Sequence, residues 1–272
     1  MPDDVYTHGH HESVLRSHTW RTAENSAAYL LAALCPGMDL LDIGCGPGTI
    51  TIDFAQLVAP GVVVGLDRDE AVIAAAAATA AEAAVDAEFV TGDVYGLDLP
   101  DASFDVVHAH QVLQHLTDPV AALVEMKRVL RPGGVLAVRD ADYGGFFWSP
   151  ADPRLDRWLA LYHAVTERNG ACADAGRVLP GWVRAAGFTD VTVTTSAWTF
   201  ATAAEREWWG GLWADRVTRS SFATQAVDYG LADEADLADL SGAFRRWAAD
   251  SDGIFVIPNV EVLAGGSSRS PG

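Results

Sequence analysis

The residues with the spacing to do chemistry gather in the first half of the chain. At 40–49 the sequence reads LLDIGCGPGT: an apolar run carries Asp42 near its end, and Gly44, Gly46 and Gly48 follow before a helical stretch. Glycines at such a turn permit positive φ and let backbone amides approach a ligand at a helix N-terminus. The pattern Gly-x-Gly-x-x-Gly, which seats a dinucleotide pyrophosphate, is missed because the third glycine comes one residue early. Asp42 would repel a phosphate there, so the loop suits a ligand with a cationic amino group and no phosphate. Asp67 ends the next apolar run, 23 residues beyond Gly44. A carboxylate at that offset can accept hydrogen bonds from a ribose diol. Asp93 closes a third run, in VTGDV. Three carboxylates at the carboxyl ends of neighbouring strands would converge at the switch point of an open sheet, where ligands bind.

That convergence requires strands alternating with helices. Apolar runs at 40–43, 62–66, 88–90, 106–109 and 135–138 read as strands, three of them nearly continuous in apolar residues, as in a parallel sheet buried on both faces. Helical stretches at 49–58, 69–84 and 119–130 separate them, the last stopped by Arg131-Pro132-Gly133-Gly134. Two helical pieces, 12–19 and 23–34, precede this unit. The alternation predicts an α/β, doubly wound sheet with right-handed crossovers. Beyond residue 150 the order changes to helices at 153–167 and 180–186, a strand at 191–200, a helical region at 201–252 holding Trp208, Trp209, Trp213 and Trp247, and a last strand at 254–263. Pro258 in that strand suggests a bulge or an edge position. The Gly/Ser-rich tail, 265–272, is expected to fray.

At this point the sequence resembles the class I S-adenosylmethionine (SAM)-dependent methyltransferases, of the small-molecule type that includes the ubiquinone/menaquinone-biosynthesis enzymes. The resemblance spans about 37–141 in four consecutive motifs, LLDIGCGPGT, VVGLDRD, FVTGDVYGLDLPDASFDVVHAHQVLQHL and LRPGGVLAV. It implies a seven-stranded, mostly parallel Rossmann-like sheet with an antiparallel last strand, SAM as cofactor and S-adenosylhomocysteine as product. By the family pattern, Asp42 and the backbone of Gly44, Cys45 and Gly46 line the methionine moiety. Asp67 holds the ribose hydroxyls and Arg68 packs at the adenine. Asp93 accepts from the adenine amino group while the Val94 amide meets a ring nitrogen. The backbone around Ala109, His110 and Gln111 lies beside the sulfonium. Relatives often close an N-terminal segment over the cofactor, which makes Tyr6, Trp20 and Arg21 lid candidates. The implied organisation is a helical lid at 1–36, a SAM-binding core at 37–150, completion of the sheet by 151–200 and 253–264, a helical cap at 201–252 over the acceptor, and a tail at 265–272. The alternative for 201–252 is that its helices only lengthen the core or form a homodimer interface.

Methyl transfer needs a nucleophile placed in line with the methyl–sulfur bond in a dry pocket. A base helps when the acceptor is a hydroxyl or an ammonium. Strand-end candidates for catalysis are His110, Asp140, Asp142 and Tyr143; none of them is singled out as the base, and His110 fits a backbone role better. His115 reads as a structural loop residue. Four histidines, His8, His10, His11 and His18, fall in an N-terminal stretch read as flexible, which offers no scaffold for a metal, so no metal site is expected. Acidic residues outnumber basic ones by 37 to 18, a formal charge of −19. Such a surface repels phosphate backbones and anionic membranes, so neither nucleic acid nor membrane is an expected partner. Cys35, Cys45 and Cys172 make an odd set without close pairs, which fits a reducing, cytoplasmic setting. The expectation is an enzyme that methylates a small, partly apolar molecule of specialised metabolism. The alternatives are quinone-type biosynthesis and a catalytically silent SAM-binding partner protein.

Overall fold

Between residues 40 and 141 strands and helices largely alternate, and beyond that the order breaks down. A computed structural model describes residues 4–9 and 11–265. In chain order the elements are α1 Glu12–Thr19, α2 Ala23–Ser26, α3 Ala28–Leu31, β1 Leu40–Ile43, α4 Thr49–Val58, β2 Val63–Asp67, α5 Glu70–Glu82, β3 Glu88–Thr91, β4 Phe104–His110, α6 Pro119–Val129, β5 Leu130–Ala141, β6 Phe147–Ser149, α7 Pro153–Arg168, α8 Ala175–Ala185, β7 Asp190–Phe200, α9 Ala203–Arg219, α10 Ser221–Asp228, α11 Glu234–Ala249 and β8 Ile254–Gly265. Side chains cap two of these helices: Asp69 accepts from two amides of α5, and Asp118 caps α6 ahead of Pro119.

The strands form one sheet in the order β3-β2-β1-β4-β5-β8. β1 to β5 are parallel, and β8 runs antiparallel between β5 on one side and β7 on the other. The doubly wound sheet with antiparallel closing strands is therefore present, but with eight strands rather than seven. The additional one, β6, is three residues long and pairs with Ile254–Val256 of β8 beyond the end of β5. Three residues carry no legible period, which is why the sequence does not announce it.

Three further expectations need correction. Pro258 does not lie on an outer strand, since β8 has neighbours on both sides, although at Pro258 itself only the β7 side is paired. Its register with β5 stops at Asn259 and that with β6 starts at Val256, so the missing N–H falls in the gap between the two partners. Pro180 does not open its helix; α8 begins five residues earlier and Pro180 lies inside it. The expected helix 23–34 is two short ones, broken at Ala27 (φ −136°, ψ 20°). Of the tail, Gly265 pairs in β8 and 266–272 lie outside the described residues.

Apolar side chains cover both faces of the sheet. Leu41, Val107, Leu123 and Met126 belong to one layer, and Leu30, Leu40, Phe54 and Val106 to the other. A third cluster joins α7, α9, α10 and α11 to the last strands through Trp158, Trp213, Phe244 and Phe255. Trp158 meets Trp213 edge-on at 4.5 Å and Phe244 at 5.1 Å. The helices of 201–252 thus share one aromatic core with α7 and the last strands.

Candidate functional site

The loop after β1 turns through Gly44 (φ +65°) and Gly46 (φ +55°), where an L side chain is strained. A Cβ on Gly44 would stand 2.4 Å from Val112 Cγ2, whereas one on Gly46 would meet only His18 Nδ1, at 4.0 Å. Gly44 is therefore packed and Gly46 opens into a cavity. The Gly44 and Cys45 amides donate to the Leu66 carbonyl and pin the loop to β2. The Gly46 amide donates to Asp67 Oδ2 at 3.1 Å, and that of Asp69 to Oδ1 at 3.2 Å, so the Asp67 carboxylate is aimed from the end of β2. Asp42, 3% exposed, accepts from Thr51 Oγ1 at 2.6 Å and pairs with His108 Nδ1 at 2.7 Å.

These groups line one end of a cavity of about 550 Å³ at the carboxyl ends of the parallel strands. Arg68, Asp93 and Val94 lie at that end as well. The Arg68 guanidinium donates to the Asp4 carbonyl at 2.9 Å, and Asp93 accepts from the Tyr95 amide at 2.9 Å. Midway, Gln111 holds φ +54°, a left-handed conformation costly for a non-glycine residue, of the kind that collects at functional sites. Its side chain is clamped between Arg21, which donates to Oε1 at 2.7 Å, and Asn259, which accepts from Nε2 at 3.2 Å. The far end is aromatic, built from Tyr143, Phe146, Trp209 and Trp213, with Arg216 among them.

Of the residues the family pattern assigns to the cofactor, Asp42, Gly44, Cys45, Gly46, Asp67, Arg68, Asp93, Val94, His110 and Gln111 line this cavity, as do Tyr6, Trp20 and Arg21, whereas Ala109 does not. Two catalytic candidates do not. β5 continues to Ala141, three residues further than its apolar run suggests, and strand alternation turns Ala141 to the cavity and Asp140 away from it. Asp142 is held by Arg177, whose Nη2 donates to Oδ1 at 2.5 Å and Nε to Oδ2 at 2.9 Å. Both are buried and neither is among the residues that line the cavity. Tyr143 remains in the wall, although burial raises its pKa, which suits packing rather than base catalysis.

The sequence reading missed part of the wall. His8 is buried and stacks on Tyr162, and His18 lies on α1; both line the cavity instead of belonging to a flexible run. His115 is also a wall residue, not only a loop support. His10 lies outside the described residues. Trp198 and Arg216 complete the set, and nothing local in their sequence marks them. Among the described residues no group of three or more His, Cys, Asp or Glu side chains is arranged to hold a metal ion.

Burial dominates the electrostatics. It holds His8 and His110 neutral, well below the usual imidazole range, and takes His115 to about 3. Arg139 donates toward His110 Nδ1 at 3.4 Å, which assigns the proton of the neutral ring to Nε2 and makes His110 a poor base. Burial likewise pushes the Cys45 thiol up, so it stays protonated. The Asp140 carboxyl is pushed up to about 8, with Oδ1 accepting the Gln114 amide and Oδ2 lacking a partner among the described residues. A folded-state pKa above the unfolded one means stabilisation that is complete below the ordinary carboxylate range and is lost as pH rises through about 8. Asp140→Asn keeps the acceptor and removes the titration. Between pH 6 and 7 the wild type should lose about 1.4 kcal/mol relative to this variant in urea denaturation. Parallel pH profiles for the two proteins would show that Asp140 is already ionised at pH 6.

Residues 34–187 match the family model of a methyltransferase domain. An uncharacterized methyltransferase of Schizosaccharomyces pombe is 34% identical over 267 residues, 95% of either chain. A probable methyltransferase of Aspergillus luteorubrus is 30% identical over 95% of this chain and 96% of its own. Among solved structures, the YcgJ protein of Bacillus subtilis superposes with a TM-score of 0.59 at 19% identity, covering 91% of this chain and all of that one, a likeness of fold.

Proposed function

We propose, from the premise that this chain belongs to the class I SAM-dependent methyltransferases, that it methylates a small, partly apolar molecule bound in the same cavity as the cofactor. The observation that carries this reading is a single cavity with two chemically different ends, one of glycine backbone and carboxylates, the other of aromatic rings. The first end fits SAM: Gly46 leaves room where a Cβ would intrude, and Asp67 and Asp93 stand at neighbouring strand ends. Bound SAM supplies an activated methyl group on a sulfonium, so the protein has to bind, orient and exclude water.

In this reading Asp67 accepts from the ribose hydroxyls, its lone pairs already aimed by the Gly46 and Asp69 amides. Asp93 and the Val94 amide face the adenine, beside Arg68. Asp42 and the backbone of Gly44, Cys45 and Gly46 take the methionine end. Arg21, whose acceptor among the described residues is the neutral Gln111 Oε1, pairs the cofactor carboxylate. The N-terminal segment acts as the lid: Asp4 accepts from the Thr117 amide and hydroxyl at 2.8 Å, and Trp20, Arg21, Tyr6 and His8 close the wall behind it. The 201–252 helices cap the acceptor end. A closed, dry site of this kind accelerates an in-line displacement by proximity and orientation.

Calorimetric titration with SAM and with S-adenosylhomocysteine tests the assignment. Asp67→Ala should weaken both by about 1–3 kcal/mol, the cost of lost hydrogen bonds to a charged group. Absence of binding to folded wild-type protein would overturn the reading, and binding without product from any acceptor would favour the silent partner protein.

A further inference from the structure

Three arginines line the cavity with no carboxylate partner among the described residues, Arg21, Arg68 and Arg216, although the chain has 37 acidic residues; Arg68 is exposed to solvent and needs none. Arg21 is accounted for if the proposed SAM site is right, since the cofactor brings one carboxylate. Arg216 is then left over. Its residue is 4% exposed, and its Nη2 donates to the Ser13 carbonyl at 3.1 Å and the Ser17 hydroxyl at 2.8 Å, both neutral. Nε is buried without a partner, and no hydrogen bond reaches Nη1 from the described residues. The neighbouring Asp215 is taken by Arg16 and Arg245 on the outer surface. The groups facing Arg216 from the packed elements are Tyr6, Tyr143 and Tyr162, all kept neutral by burial, together with the cation Arg16.

A buried guanidinium without a counter-charge is expensive, and a cavity wall is where a ligand can supply that charge. The surroundings narrow the ligand. The guanidinium lies 4.7 Å above the Trp213 ring, and Trp209, Tyr143, Phe146 and Ile257 make the adjoining walls. Such walls suit a flat apolar body, and one unpaired cation suits a monoanion that is charged at neutral pH. A phenol is neutral there, and a phosphate dianion would bring more charge than the pocket matches.

From these observations, and resting on the SAM reading above, we propose that the acceptor is an aromatic or polycyclic carboxylic acid whose carboxylate pairs with Arg216 while its rings lie against Trp209 and Trp213.

The test compares 1-naphthoate with its neutral counterpart 1-naphthamide, followed by tryptophan fluorescence with and without S-adenosylhomocysteine. The wild type should bind the acid at least tenfold more tightly than the amide. That preference should fall below threefold in Arg216→Gln and survive in part in Arg216→Lys, while S-adenosylhomocysteine affinity stays within threefold of wild type. Equal binding of the two probes by the wild type, or no binding of either, overturns the proposal without need of a variant that folds. A preference that persists in Arg216→Gln also overturns it. So does a tenfold loss of S-adenosylhomocysteine affinity in Arg216→Gln, which would give Arg216 to the cofactor. Should S-adenosylhomocysteine fail to bind while the naphthoate preference appears and depends on Arg216, the acid-binding subsite stands and the methyl-transfer reading falls.

Discussion

Gly44→Ala is expected to destabilise the protein by about 2–5 kcal/mol and to remove measurable S-adenosylhomocysteine binding. Two costs add at this position. The φ of +65° is left-handed, worth about 1–2 kcal/mol for a residue with a Cβ. The new methyl group would also lie 2.4 Å from Val112 Cγ2, an overlap relieved only by moving the segment after β4, at about 1–3 kcal/mol. That segment carries Gln111 and Gln114, so relief of the clash shifts the middle of the cavity. Gly46→Ala separates the two terms. Its φ is similar, +55°, but its Cβ meets nothing nearer than 4.0 Å, so its stability cost should be the backbone share alone while ligand affinity still falls. Urea denaturation and calorimetry on both variants measure the split. A Gly44→Ala protein within about 0.5 kcal/mol of wild type, near the range of ordinary surface changes, would mean that Val112 does not buttress the loop.

The parallel half of the fold and its cofactor end are legible in the sequence because the signals there are local. The strand at 40–43 and the helix at 49–58 match β1 and α4 residue for residue, fixed by an apolar run, three glycines and the next polar break. Asp67 and Asp93 follow from strand ends alone. What stayed hidden depends on partners far along the chain. Arg216 differs from Arg219 in no local respect, and only the contact with Ser13 and Ser17 some 200 residues earlier shows that it faces inward. His8 becomes a wall residue through Tyr162, 154 positions away. Asp140 failed on parity: a strand end misplaced by three residues puts a side chain on the opposite face. The aromatic end of the cavity is assembled from such distant pairings, which is why the sequence identifies the cofactor chemistry and leaves the acceptor open.

The largest single loss of stability is expected from Arg139→Met. Arg139 is 1% exposed on β5, and its charge is answered across the sheet by Glu261 on β8, with Nε to Oε1 at 3.3 Å. Burial lowers the Arg139 pKa to about 10, partly offset by Glu261, so it remains a cation at neutral pH. Glu261 accepts in addition from Thr194 Oγ1 at 2.8 Å and Ser196 Oγ at 2.5 Å on β7, so three strands share one polar cluster. Deleting the guanidinium leaves that carboxylate buried without a cation, at about 3–5 kcal/mol. The double variant Arg139→Met/Glu261→Gln should recover most of the loss, because no uncompensated charge is left and the glutamine can accept from one hydroxyl and donate to the other. The site should feel the change as well. The same guanidinium lies 4.7 Å over the Trp198 ring and donates toward His110, and both of those side chains line the cavity. Cofactor affinity should therefore stay below wild type in the double variant even where stability has returned. Urea denaturation of the two variants beside the wild type, with S-adenosylhomocysteine calorimetry on each, separates these effects. If Arg139→Met costs under about 1 kcal/mol, like an exposed pair, the cation is not holding the three strands together. If affinity returns in step with stability, Arg139 acts on the fold alone and does not position the wall of the cavity.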